Sequence, residues 1–181
     1  MTTRTGSSPL RIHLCHPLGK TTKWVRDLSD ALDGLGGGAV TVSHSAGFQL
    51  DQHWHVRAGE ALRSAHWLVI VFGERSLDRD WWLWEAGYFA ATHAGASRSA
   101  VCFHHPSLNV PRALHAWRPI PATVSNADSL IREILETHQN HGGRSLVSNV
   151  GEKGLRVLCE CIVHCCVPAL PEVPESAARV G

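Results

Sequence analysis

The sequence predicts an α/β domain with a mostly parallel central sheet and helices on both faces. Two observations support this class. Short apolar segments alternate with amphipathic ones along the chain, which is the order of strands and helices in a three-layer α/β fold with right-handed crossovers. The run WLVIVF at residues 67–72 has no polar alternation, as is typical of a central parallel strand that is covered on both faces.

The first half of the chain is predicted to form strand, helix, strand and helix. RIHLC at residues 11–15 and the segment 39–42 are the two short strands. Between them we expect a helix of about three to four turns, which the glycines at 36–38 end. After a polar loop at residues 43–53, residues 54–65 form the second helix. Apolar side chains at helical spacing support both helices: Trp24, Leu28, Ala31, Leu32 and Leu35 in the first, and Val56, Leu62 and Ala65 in the second.

The second half continues this alternation beyond the apolar run. We expect a helix at residues 80–94, a strand (AVCFH) at 100–104, and a short fifth strand, interrupted by prolines, at 118–124. Residues 126–138 are predicted to form the next helix, with Asn126 as a candidate N-terminal cap. The expected buried face of that helix consists of Leu130, Ile131, Ile134 and Leu135.

Composition and charge narrow the classes of function. The formal net charge is +1, from 17 Lys and Arg against 16 Asp and Glu, so no basic field favours a nucleic acid or an anionic membrane as partner. No apolar run approaches the roughly 18 residues of a membrane-spanning helix, and residues 1–9 lack the apolar core of a signal peptide. Six cysteines, four of them bunched in residues 159–166, fit a reducing compartment. We therefore expect a cytoplasmic protein with no nucleic-acid or membrane partner.

The chain is expected to have three parts. Residues 1–9 are a flexible N-terminus, residues 10–140 form the sheet domain, and residues 141–181 contain a linker, a C-terminal helix and a disordered tail. One face of that last helix carries three soft metal ligands: Cys161, His164 and Cys165. Because a structural zinc site normally draws its ligands from two elements, we favour cysteines acting as small hydrophobes and predict no metal site.

The most informative stretch follows the apolar strand. Ligands of open parallel sheets bind beyond the carboxyl ends of the strands, and DWWLWEAGYF at residues 80–89 begins a helix at that edge. Trp81 and Glu85 are four residues apart and share one face of this helix. One interpretation is that Trp81 and Trp84 anchor the core and that the helix dipole favours Glu85. The other is an indole platform beside a catalytic carboxylate that projects into a cleft.

These residues, in their order along the chain, carry a family resemblance. The strand ending in Cys15 and His16, the segment LDQHWHVRAGEALRSAHW, the strand WLVIVF and the segment SLDRDWWLWEAGYF together resemble a Toll/interleukin-1 receptor (TIR) domain of the bacterial type. The likeness covers roughly residues 10–138, and the Trp-x-x-x-Glu pattern of Trp81 and Glu85 is its most diagnostic part. It implies a flavodoxin-like TIR fold with a central parallel five-stranded sheet. Four residues differ from the family pattern. Cys15 replaces the usual Ser, and other residues are common at the positions of Gly73, Arg79 and Trp82.

The resemblance implies one of two activities. One is an NAD+ glycohydrolase, in which Glu85 is catalytic, NAD+ is the substrate and no cofactor is required. The other is a non-enzymatic scaffold that assembles through TIR contacts. The chemistry favours the enzyme, because cleavage of the nicotinamide–ribose bond expels a neutral pyridine, needs no general acid and builds positive charge on the ribose.

Other residues near the same edge are candidates for substrate binding. Trp81 would be a ring platform, Phe48 and Trp54 would be loop aromatics closing over the nucleotide, Asp51 would accept a ribose hydroxyl, and His16 would contact the substrate at the end of the first strand. For each, an ordinary core or solvated role stays open. The resemblance further implies a bacterial immune or signalling effector, activated by self-association and receptive to an upstream sensor. A third class, a nucleoside deoxyribosyltransferase-like enzyme, also uses a Glu on a similar sheet.

Overall fold

The computed structural model contains a five-stranded, all-parallel sheet. It describes residues 9–16, 40–44, 53–72, 79–93 and 99–140, with positions 29, 30, 32, 156 and 160. The strands are β1 (Leu10–Cys15), β2 (Val40–His44), β3 (Trp67–Phe72), β4 (Ala100–His104) and β5 (Pro119–Pro121). Their spatial order is β2-β1-β3-β4-β5. The predicted α/β class with a central parallel five-stranded sheet is confirmed, and β3 is the middle strand, with all six residues buried.

Three α-helices and one 3₁₀ helix are described around this sheet. They are α1 (Trp54–Ser64), α2 (Arg79–Thr92), the 3₁₀ helix (Arg112–Trp117) and α3 (Val124–Asn140). Positions 29, 30 and 32, inside the first predicted helix, are helical as well. No helix among the described residues is long and apolar enough to cross a membrane.

The helices cover the two faces of the sheet and create two cores. On one face, alternate residues of β1, β3 and β4 pack against α3, and the predicted buried face of α3 is confirmed. Its four side chains, Leu130, Ile131, Ile134 and Leu135, are at most 3% exposed. On the other face, Leu62 of α1 and Trp82, Ala86 and Phe89 of α2 pack against Cys15, Ile70 and Cys102. This second core contains the candidate site.

Two predicted strand boundaries were wrong. Strand β2 extends through Ser43 and His44, which were expected to be loop, because both continue the parallel pairing with His13 and Leu14. Strand β5 covers only Pro119–Pro121. Arg118, just before it, adopts a left-handed backbone with φ of 40°, and Val124 already belongs to α3.

The start of α3 was also predicted wrongly. The helix begins at Val124, and Asn126 is not its cap. The backbone N–H of Asn126 donates to the Thr123 hydroxyl at 3.2 Å, and the Asn126 side chain donates to the Pro121 carbonyl at 2.8 Å. Thr123 therefore supplies the oxygen that satisfies a first-turn donor, and Asn126 ties the helix back to β5.

Several predictions lie outside the described residues. They concern the flexible N-terminus and most of the helix before the glycines at 36–38. They also concern the C-terminal region, with its linker, its tail and the three candidate zinc ligands, Cys161, His164 and Cys165. Positions 156 and 160 of that region are helical. There the Arg156 guanidinium lies 3.0 Å from the Glu160 carboxylate, one helical turn away.

Candidate functional site

The Glu85 carboxylate lies between the sheet and α2 and is completely buried. Its Oε1 atom is 3.2 Å from Nε2 of His13, a fully buried residue of β1. Both side chains have 0% exposure. Glu85 was expected to project into a cleft; in the structure its side chain has no exposed surface.

His13 joins Glu85 to a third polar side chain. Its other ring nitrogen, Nδ1, is 2.9 Å from the Ser43 hydroxyl. Ser43 faces His13 in the register between β1 and β2, and it is half-buried. The hydrogen bonds link an acid, a histidine and a serine, which are the residue types of a hydrolase triad: Glu85, His13 and Ser43. However, the acid bonds Nε2 and the hydroxyl bonds Nδ1, the reverse of the usual serine-hydrolase arrangement.

Cys15 also hydrogen-bonds to Glu85 through its side chain. Burial raises the pKa of the Cys15 thiol well above its usual value, and the negative charge and hydrogen bond of Glu85 raise it further. The thiol therefore stays protonated and is a donor to the carboxylate. Since Cys15 is the last residue of β1, this contact places Glu85 at the carboxyl end of that strand, the edge where ligands bind in such sheets.

Sequence reasoning missed His13. The signal available was a polar residue within the apolar strand RIHLC, two positions before Cys15 and hence on the same face of the sheet. A buried polar group needs a partner. Nothing in the local sequence shows that the partner is Glu85, which is 72 positions away.

Three indoles form a cluster between α1 and α2: Trp54 at the start of α1, and Trp81 and Trp84 in the helix that carries Glu85. The Trp81 ring lies 4.5 Å from Trp54 and 5.2 Å from Trp84, between ring centroids, and its plane is 26° from that of Trp84. Trp54 and Trp84 meet edge to face at 6.0 Å. All three side chains are half-buried. Trp81 is therefore an aromatic surface that other indoles already contact.

The core anchor of this helix is the residue after Trp81. Trp82 is 1% exposed and packs edge to face on Phe72 at 5.2 Å. The indole N–H groups of Trp81 and Trp82 are buried, and neither has an acceptor among the described residues. A buried unpaired donor is unusual in proteins, so the Trp81 N–H is a group that an acceptor on a ligand would satisfy.

The remaining predicted site residues are His16, Phe48 and Asp51. His16 is 1% exposed, and its ring lies 5.9 Å from that of His44 at the end of β2. Phe48 and Asp51 lie outside the described residues. In the described part of the chain, no three His, Cys, Asp or Glu side chains are grouped so as to hold a metal ion.

No protein-family model matches the chain, and a search of the curated proteins finds no match.

Proposed function

We propose that the chain is a TIR-like NAD+ glycohydrolase in which Glu85 is the catalytic residue. One observation carries the proposal. The carboxylate of Glu85 is hydrogen-bonded to His13 and Cys15 at the carboxyl end of β1, with an indole cluster one helical turn away. A carboxylate beside aromatic faces suits a substrate with a flat cationic ring attached to a sugar.

The reaction needs little beyond a carboxylate and an aromatic surface that holds the ring. The bond between ribose C1′ and the pyridinium nitrogen breaks, and its electron pair neutralises the nicotinamide, which leaves. Water adds to C1′ and loses its proton to Glu85, which returns it to solvent. At about 4 Å and an effective dielectric constant of about 20, a carboxylate and a unit positive charge interact by roughly 4 kcal/mol. That is about three orders of magnitude in rate, before desolvation costs.

Each of the other predicted site residues has a role in this proposal. Trp81 and Trp54 would hold the nicotinamide ring, and the buried Trp81 N–H would donate to an acceptor on the nucleotide. His16 would contact the substrate at the end of β1. Phe48 and Asp51 would come from the segment before α1. Because Glu85 has no exposure, NAD+ reaches the carboxylate only when side chains around it move.

One observation favours the alternative, a non-enzymatic TIR interaction module. The fully buried Glu85 bonds the fully buried His13, and His13 bonds the half-buried Ser43. A purely structural polar group is satisfied in the same way. In that case Glu85 fixes the position of α2 on the sheet, and the chain acts by recruiting other copies or other TIR domains.

Incubation of the purified chain with NAD+ separates the two functions. We expect release of nicotinamide, measured by chromatography, at high protein concentration or on a crowding surface. Glu85→Gln, which keeps the size of the side chain, should abolish it. Glu60→Gln, at an exposed position of α1, is the matched control and should keep the wild-type rate. A Glu85→Gln rate above about a tenth of wild type, an effect under about 1.4 kcal/mol, removes Glu85 from the catalytic role.

A further inference from the structure

His13 connects Glu85 to strand β2. Its ring lies between the Glu85 carboxylate, 3.2 Å from Nε2, and the Ser43 hydroxyl, 2.9 Å from Nδ1. His13 and Glu85 have no exposed surface. The three residues come from β1, β2 and α2, so this chain of hydrogen bonds ties the helix to two adjacent strands.

The partners of His13 assign its tautomer. When the carboxylate is ionised it only accepts hydrogen bonds, and the proton between Glu85 and His13 then lies on Nε2. When the ring is neutral, Nδ1 is an acceptor, and the Ser43 hydroxyl donates to it. Ser43 thus holds the ring in the orientation that directs the Nε2 proton at Glu85.

We propose that His13, oriented by Ser43, is the positioning residue that holds the Glu85 carboxylate in place for the cleavage of NAD+. This inference rests on the proposed function. His13 fixes Oε1 of that carboxylate with a contact of 3.2 Å. A carboxylate that is held in one orientation stays in the productive geometry. An unsupported carboxylate leaves that geometry part of the time, and the reaction is slower for this reason alone.

Substitutions of His13 test this role kinetically. His13→Leu removes both hydrogen bonds and should lower kcat by about 30-fold, with KM changed by less than about twofold. His13→Gln retains an N–H donor that can reach Glu85 and should restore kcat to within about fivefold of wild type. His104→Leu is the matched control, because His104 is a buried imidazole that bonds the His105 carbonyl; it should keep the wild-type kcat. A folded His13→Leu variant with kcat within about threefold of wild type overturns the inference.

Substitution of Ser43 is a second test, with a smaller expected effect on kcat. Ser43→Ala removes one hydroxyl and should lower kcat about fivefold, and Ser43→Thr, which keeps the hydroxyl, should restore it. If His13→Leu fails to fold, Ser43→Ala decides the question. An unchanged kcat in Ser43→Ala would then overturn the inference.

A spectroscopic measurement separates this inference from the proposed function. In the ¹⁵N NMR spectrum of the full chain, His13 should carry a proton on Nε2, and Ser43→Ala should shift the Nδ1 resonance. An Nε2 without a proton overturns the role of His13 whatever the activity. If the wild-type chain leaves NAD+ intact at every concentration, the proposed function fails, and the spectrum still decides whether His13 holds Glu85.

Discussion

The indole rings of Trp54 and Trp81 lie 4.5 Å apart between centroids and meet at 55°. This contact joins the first turn of α1 to the first turn of α2. Trp84 stacks on Trp81 at 5.2 Å, so Trp81 already has an aromatic neighbour in each of two directions. A flat substrate ring that stacks on Trp81 would compete with these two indoles, of which Trp54 is the first residue of its helix.

Substitutions of Trp81 should separate binding from packing. Stacking on an indole contributes roughly 0.5 to 1.5 kcal/mol beyond area burial, and a pyridinium charge raises this to about 2 kcal/mol. Trp81→Phe should therefore keep most of the NAD+ cleavage. Trp81→Ala should lose it through both KM and kcat, because a freely rotating ring presents its glycosidic carbon to Glu85 only part of the time.

Melting temperatures provide the control for those two variants. Leu83→Ala, at an exposed position of the same helix (42% exposed), should change neither rate nor melting. If both Trp81→Phe and Trp81→Ala melt far below wild type, Trp81 is a core anchor and not a substrate platform.

The rate of NAD+ cleavage should depend on self-association. Glu85 is enclosed within one chain, and TIR enzymes of the kind that this sequence resembles commonly complete their site from a neighbouring copy. The rate per molecule should rise as protein concentration increases from nanomolar to tens of micromolar, in parallel with the assembled fraction measured by light scattering. Glu85→Gln should assemble equally and remain inactive. A rate per molecule that stays flat over this range contradicts the prediction.

The buried thiol of Cys102 should make the fold less stable at alkaline pH. Burial raises its pKa from 9.0 to about 12, so above pH 9 the unfolded chain loses this proton while the folded chain keeps it. The free energy of unfolding therefore falls as pH rises from about 9 to 12, by up to about 1.4 kcal/mol per pH unit.

Urea denaturation of wild type and Cys102→Ala checks this dependence. The stability advantage of wild type over the variant should shrink by about 1 kcal/mol between roughly pH 8 and pH 10. An advantage that is constant over this interval would show that Cys102 titrates alike in both states.

Gly59 permits the close approach of α1 to α2. A Cβ at this position would lie 3.0 Å from the Tyr88 hydroxyl oxygen and 3.1 Å from Cζ of the same ring, while Arg63 holds that hydroxyl with a 2.6 Å hydrogen bond. Gly59→Ala should lower the free energy of unfolding by about 1 kcal/mol. In a Tyr88→Ala background the same change should stabilise the chain by about 0.5 to 1 kcal/mol, because alanine favours the helix. Equal effects in both backgrounds would contradict the contact.

Elements whose periodicity is strong were predicted well from the sequence. The apolar runs gave β3 and β4 with the observed ends, because a strand covered on both faces must be continuously apolar. The end of β2 was missed because Ser43 and His44 read as loop residues. Their strand conformation comes from pairing with β1, which the local sequence does not encode.

By itself, the sequence determined the parallel α/β class, the central place of residues 67–72 and the buried face of α3, since these follow from the local spacing of apolar side chains. It also placed Trp81 and Glu85 one helical turn apart. Only the tertiary structure decided what surrounds that carboxylate. His13 is 72 positions from Glu85 and 30 from Ser43, and they meet because β1 lies beside β2 and beneath α2. Burial then requires each polar group to find a partner, and the hydrogen bonds from His13 to Glu85 and to Ser43 meet that requirement.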